Sequence, residues 1–210
     1  MNRARTVEML RAEREETAEF LDSLGPEDWR RSSLCDDWTV LDVTAHLASV
    51  VGLTRRGLLG RALRYGTGTD GANARSATAY AEKGTAHLIG TISDPGVLGL
   101  GFFHPQWALC ETVVHHQDIR RALGRPRSIP GERLGVAIDV LLKMPFLTGR
   151  PKSQQPIAVV ASDIELDRGQ GPELGGRAEA LLMVLAGRLQ ALPEVTGEAK
   201  PLFENPAGDR

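Results

Sequence analysis

Cysteine is nearly absent from this 210-residue chain, with only Cys35 and Cys110 present. Two thiols cannot build a disulfide framework or a four-thiolate zinc site, so any metal would be held mainly by histidine and carboxylate. An excess of one charge is missing too. Lys and Arg number 25 against 27 Asp and Glu, a formal net charge of -2. No overall basic field is available to hold a nucleic-acid backbone or an anionic membrane. Long apolar runs are also lacking: none approaches the roughly 20 residues that span a bilayer, and Met1 to Leu10 is charged rather than signal-like. The expectation is a cytoplasmic protein with no membrane and no nucleic-acid partner. Aromatics make up only 5%, which leaves little from which to read a substrate pocket. What is present, 41% hydrophobic and 25% charged residues, is the balance of a folded globule and lies far from the disordered regime.

Helical periodicity dominates. Val7, Leu10, Ala18, Leu21 and Leu24 recur at helical spacing before the Gly25-Pro26 stop, which predicts a helix over 4–24. Thr39-Val40-Leu41-Asp42 reads as an N-cap followed by an acidic third position. Val40, Val43, Leu47, Val50 and Leu58 continue it as a second helix over 39–61. After a Gly-rich loop from Tyr65 to Gly71, an Ala-rich stripe of Ala77, Ala81, Leu88 and Ile92 ends at Asp94-Pro95-Gly96. A fourth helix over 105–123 closes at Gly124-Arg125-Pro126, and a fifth carries Leu134, Ile138, Leu141 and Leu142 before Pro145. Long helices joined by loops imply a bundle, placed at 1–148.

Residues 149–156 break every periodicity and read as a linker. Beyond it, Ile157-Ala158-Val159-Val160-Ala161 fits a strand and Ile164-Glu165-Leu166-Asp167 alternates like a second. A helix over 177–192 then carries Leu181, Leu182, Leu185 and Leu189 on one stripe. The second expected domain, 156–203, is thus a small α/β unit. Gly169-Gln170-Gly171-Pro172 reads as a turn, because the Lys and Ser or Thr of a phosphate loop are missing.

The residues with chemistry lie on the second and fourth helices. At about 100° per residue, Cys110, Glu111, Val114, His115 and Asp118 all fall within about 80° of Trp107. Two carboxylates and an imidazole therefore share an apolar face, and a buried carboxylate demands a cation, a hydrogen-bond donor or a wet cavity. His46, about 60° from Val43 and about 40° from Val50, faces the core edge of its own helix. A bundle that set His46 opposite Glu111 and His115 would offer the two imidazoles and one carboxylate of an open zinc site. A satisfied core histidine, or carboxylates meeting Arg120 or Arg188, explains the same pattern without metal. His116, on the opposite side of its helix, is expected to face solvent; His87 and His104 read as structural or exposed. The two cysteines read as small hydrophobes. Arg188 lies about 20° from Leu181 on the expected C-terminal helix, so its guanidinium either snorkels or binds a substrate carboxylate.

Leu34-Cys35, Trp38-Thr39-Val40, Asp42 and His46-Leu47, followed by Glu111, His115, Asp118 and Ala122-Leu123-Gly124, resemble the mycothiol-dependent maleylpyruvate isomerase family, a branch of the DinB-like metal-binding bundles. Asp163, Gly169-Gln170-Gly171-Pro172, Gly176, Ala178-Glu179-Ala180-Leu181-Leu182 and Ala186-Gly187-Arg188 resemble that family's C-terminal domain. His116 departs from the pattern, which has a small residue there. The resemblance implies a mainly α protein, a DinB-like four-helix bundle with a small α/β C-terminal domain. It further implies a divalent metal, usually zinc, at His46, Glu111 and His115, and mycothiol or a similar small thiol as cosubstrate. Asp118 would then orient a ligand imidazole or receive the thiol proton, and Arg188 would anchor the substrate. The implied activity is isomerisation or thiol transfer on a small electrophile; the other reading is a non-catalytic metal- or ligand-binding bundle.

Overall fold

The Asn2 side chain accepts from the Ala4 N–H at 3.0 Å and so starts α1 (Arg3–Asp22). A helix needs such a cap because its first N–H groups have no carbonyl behind them. Thr39 and Asp42 do the same reciprocally for α2 (Val40–Val51): the Thr39 N–H donates to the Asp42 carboxylate at 2.9 Å, and the Asp42 N–H to the Thr39 hydroxyl at 3.3 Å. This is the capping pair the sequence predicts. The computed structural model describes residues 2–52, 69–102, 104–143 and 156–204. The expected continuation of the second helix to 61, Leu58 on its stripe and most of the loop 65–71 fall outside them.

The Ala-rich stripe is two helices, α3 (Thr69–Ala81) and α4 (Thr85–Ser93). Gly84, at φ 83°, breaks it, since a left-handed residue cannot continue the ladder. The next helix, α5 (Pro105–Leu123), starts with Pro at its first turn, where no N–H is needed. It ends at Gly124 in the left-handed region, φ 66°. These helices belong to the first of two compact units, Met1–Pro126 and Arg127–Arg210. Within it α2 packs on α3, α4 and α5, and α1 on α4 and α5. The core between them includes Leu21, Val43, Leu47, Leu88, Ile92 and Ile119.

In the second unit, α6 (Gly131–Lys143) packs on α7 (Ala178–Leu185). Four strands run in the order β2-β1-β3-β4. β1 (Ala158–Ala161) pairs antiparallel with β2 (Asp167–Gly169) and parallel with β3 (Glu173–Gly176); β4 (Val195–Thr196) pairs antiparallel with β3. A short α8 (Pro201–Glu204) closes the described chain. The second strand begins three residues later than its alternation suggests. Ile164 to Leu166 form a tight turn, the Leu166 N–H donating to Ile164 and its carbonyl accepting from Ala161. The turn at 169–172 is as expected: a Cβ on Gly169 or Gly171 would lie 2.2 Å from the carbonyl oxygen of Ile157 or Pro156. Residues 149–155 of the expected linker lie outside the described ones. The protein is thus mainly helical with a small C-terminal sheet.

The capping pair of α2 sets the helix that carries His46. Thr39→Ala should lower stability by about 1 kcal/mol, a fall in Tm of about 2–4 °C for a chain of this size. Thermal unfolding followed by circular dichroism measures it; an unchanged Tm would show that packing alone fixes the start of α2.

Candidate metal centre

Two helices of the first unit build the centre. α2 buries His46 between Val43 and Leu47, and α5 presents Glu111 and His115 one turn apart. The Glu111 Oε2 lies 3.2 Å from His115 Nε2 and 3.7 Å from His46 Nε2. These donor atoms lie within 4.8 Å of one another. The two imidazoles meet edge to face, 5.0 Å between centroids, and Trp38 packs on His46 at 5.2 Å. Two imidazole nitrogens and one carboxylate oxygen converging in this way fit a divalent cation of the zinc class with a coordination position to spare.

Asp118 lies behind His115. Its Oδ2 accepts from His115 Nδ1 at 2.9 Å and from the Cys35 thiol at 3.0 Å, and Cys35 Sγ stands 3.8 Å from the same Nδ1. With the Nδ1 proton held by Asp118, Nε2 is the ring nitrogen that would coordinate a cation, the arrangement by which a carboxylate orients a ligand imidazole. The Asp118 side chain is fully buried, whereas Glu111 and His115 are partly exposed.

Burial alone would lower the His115 pKa. Hydrogen bonds to Asp118, Cys35 and Glu111 hold its proton and bring the value well above the ordinary 6.5. For Glu111, burial would raise the pKa, but hydrogen bonds from His115 and His46, and their positive charge, bring it well below the carboxylate range.

His116 is not at the surface. It is fully buried, with Nδ1 3.0 Å from both Glu13 Oε1 and Thr17 Oγ1, and with Nε2 accepting from Arg120 Nε at 2.7 Å. The Arg120 guanidinium also lies over the Phe20 ring at 3.9 Å. The expectation of a solvent face fails because α5 is packed on two sides: one turns to the centre and the other to α1. Arg120 is therefore engaged with His116, while imidazoles face Glu111 and both an imidazole and a thiol face Asp118. Arg188 is displaced from its expected stripe. α7 ends at Leu185, Gly187 turns left-handed at φ 84°, and Arg188 caps a 3-10 turn, donating to the Ala186 carbonyl at 2.8 Å. Helical spacing therefore does not set the direction of the Arg188 side chain. Sequence reasoning missed Cys35 as a neighbour of the centre. It comes from a loop, where periodicity carries no directional signal; its place just ahead of the Trp38-Thr39-Val40 block was the available hint.

His46, Glu111 and His115 thus converge between two helices of the first unit as a set of donors that could hold a metal ion. Residues 10–87 match the mycothiol maleylpyruvate isomerase N-terminal domain, a span that contains His46 and ends before α5. Over 95% of this chain and 94% of the other, the fold is similar to a crystal structure of a histidine-to-alanine mutant of the mycothiol-dependent maleylpyruvate isomerase, with a TM-score of 0.63 at 13% identity. The unmutated enzyme gives a TM-score of 0.58 at 15% identity over the same shares. No curated protein matches. The resemblance carried by the sequence motifs therefore holds at two levels, the family's N-terminal domain over 10–87 and its fold over nearly the whole chain. No described helix is long and apolar enough to cross a membrane.

A raised imidazole pKa stabilises the metal-free protein fully below 6.5, and that contribution is lost as pH rises through the higher folded value. The depressed Glu111 value contributes above 4.5 and is lost on acidification. Both contributions are complete between these two limits. The Tm of metal-free protein should thus decline above about pH 6.5, and more in wild type than in His115→Ala. A metal must displace the same proton, so zinc affinity measured by titration calorimetry should keep rising with pH beyond that value. An affinity flat from about pH 5 to pH 8 contradicts coordination by two imidazoles.

Proposed function

We propose that this protein is a metal-dependent enzyme that uses a low-molecular-weight thiol such as mycothiol to isomerise or conjugate a small electrophilic substrate. The observation that carries the reading is the convergence of His46, Glu111 and His115, with His115 braced by a buried carboxylate. A divalent cation such as zinc, when bound, lowers the pKa of a thiol and so supplies the thiolate nucleophile near neutral pH.

The chain's own groups do the rest. His46 and Glu111, on two different helices, would hold the cation together with His115. Asp118 keeps the Nδ1 proton on His115 and fixes the tautomer whose Nε2 coordinates. Trp38, packed against His46 with the two ring planes inclined at 58°, restricts rotation of that ring. Arg188 is the candidate anchor for an anionic substrate on the chemistry of its planar guanidinium, which pairs with carboxylates in two parallel hydrogen bonds. With an activated double bond as substrate, thiolate addition, rotation about the resulting single bond and elimination give the other geometric isomer. With a leaving group present, displacement gives a thioether.

The test is a screen of small thiols against electrophiles on zinc-loaded full-length protein. His46→Ala and Glu111→Gln should lose both metal and turnover. Asp118→Asn should weaken metal affinity or activity by about 10–100-fold. Arg188→Ala should keep the metal and lose turnover, with poor rescue by Arg188→Lys. Metal retained with no turnover across the screen assigns the chain to ligand binding instead, and full activity in Arg188→Ala rules out the anchor role for that residue.

A further inference from the structure

His115 has two ring nitrogens, and each faces a different set of donors. Nε2 faces Glu111 and, with it, His46; Nδ1 faces the Asp118 carboxylate at 2.9 Å and the Cys35 sulfur at 3.8 Å, with sulfur and carboxylate 3.0 Å apart. The second set is therefore a Cys, His and Asp triad whose donor atoms also lie within 4.8 Å of one another. A tetrahedral zinc with bonds of about 2.3 Å to sulfur and about 2.0–2.2 Å to nitrogen and oxygen needs edges of about 3.3–3.6 Å between its ligands. The observed edges of 2.9, 3.0 and 3.8 Å bracket that range, so opening the two shorter edges by about 0.5–0.6 Å would admit an ion.

The thiol is also held in place. In the turn at 33–38, the Cys35 N–H donates to Ser33 Oγ at 3.0 Å, the Trp38 N–H to the Cys35 carbonyl at 3.1 Å, and the Ser33 hydroxyl to the Trp38 carbonyl at 2.9 Å. Asp37 takes a left-handed φ of 61° within that turn, a conformation unfavourable for a residue with a side chain. One residue before the thiol, the Leu34 N–H donates to the Asp118 carbonyl at 3.2 Å, tying the turn to α5. Cys35 is thus presented to α5 by backbone bonds on both sides, the preorganisation a ligand set requires.

We propose that Cys35, Asp118 and His115 Nδ1 form a second metal site, in which the His115 imidazole bridges two divalent cations. The sulfur makes this site softer than the first and selects thiophilic ions of the zinc class. Its charge balances: the Cys35 thiolate, the Asp118 and Glu111 carboxylates and the bridging imidazolate carry four negative charges against two divalent cations. With only the first ion bound, Asp118 holds the Nδ1 proton as described above; binding of the second ion displaces two protons to solvent, one from the thiol and one from that Nδ1, and Asp118 turns from holding the proton to holding the ion. The bridge rests on the metal reading of His46, Glu111 and His115 above, and the experiment separates the two.

Cobalt(II) is the probe, because thiolate ligation adds an intense near-ultraviolet charge-transfer band that imidazole and carboxylate do not. Metal-free wild type should take up two cobalt ions per chain and show the band. Cys35→Ser should take up one and lose the band, and Cys110→Ala should keep both. His46→Ala should lose one ion and keep the band. A parallel measurement needs no variant of the centre: cobalt should protect Cys35 from alkylation in wild type, read by mass spectrometry. One ion per chain without a thiolate band, a band that survives Cys35→Ser, or unprotected Cys35 at saturating cobalt overturns the second site. Uptake unchanged by His46→Ala overturns the first site, and the bridge with it.

Discussion

Asp118 has no solvent exposure, and an ionised carboxylate there is stable only while donors surround it. The donors come from separate pieces of chain: the imidazole of His115 three residues earlier on α5, and the Cys35 thiol from the turn that precedes α2. The Asp118 carbonyl adds a further tie by accepting from Leu34. One buried charge therefore aligns α5 with the segment leading into α2. The orientation of the His115 ring toward Glu111 follows from that alignment.

The opposite side of α5 shows why this arrangement is rigid. His116, next in sequence to His115, sits between the Glu13 carboxylate of α1 and the Arg120 guanidinium. Nε2 accepts from Arg120, so the ring proton belongs on Nδ1, where Glu13 and Thr17 stand. Acid and base are thereby paired through a neutral imidazole in a region that water does not reach, where an unpaired charge would be strongly unfavourable. α5 cannot rotate to relax one face without breaking hydrogen bonds on the other. Ligand groups on such a helix are held more closely than they would be on a loop.

Close backbone approach fixes the turns of the C-terminal sheet, around a core that includes Val159, Leu174, Leu181 and Leu182. The sheet contains parallel β1 and β3, with β2 placed between them in sequence, so the chain has to turn back within a few residues. Glycines at 169 and 171 permit this by passing within contact of the Pro156 and Ile157 carbonyls, where no Cβ fits. Gly187, at φ 84°, follows the end of α7 and gives Arg188 an irregular backbone in place of a helical one.

Periodicity and punctuation by themselves determined the helices with strong ends. The span of α5 from Pro105 to the Gly124 cap and the Thr39 and Asp42 start of α2 were legible residue by residue, because caps and stops act through neighbouring backbone groups. The inward face of α5, with Glu111, His115 and Asp118 together, was equally legible, since a fixed angle per residue relates positions on one helix. Tertiary structure alone decided the rest. The burial of His116 depends on α1 covering a second face of α5, which no single-helix pattern encodes. Cys35 meets Asp118 through hydrogen bonds between a loop and a helix more than 80 positions away. Arg188 left its stripe because the helix ended ahead of it, with one glycine at positive φ in between, although the apolar spacing continued past that end. Short-range geometry is written in the order of the residues, but the partners of a buried charge are set only when distant segments pack.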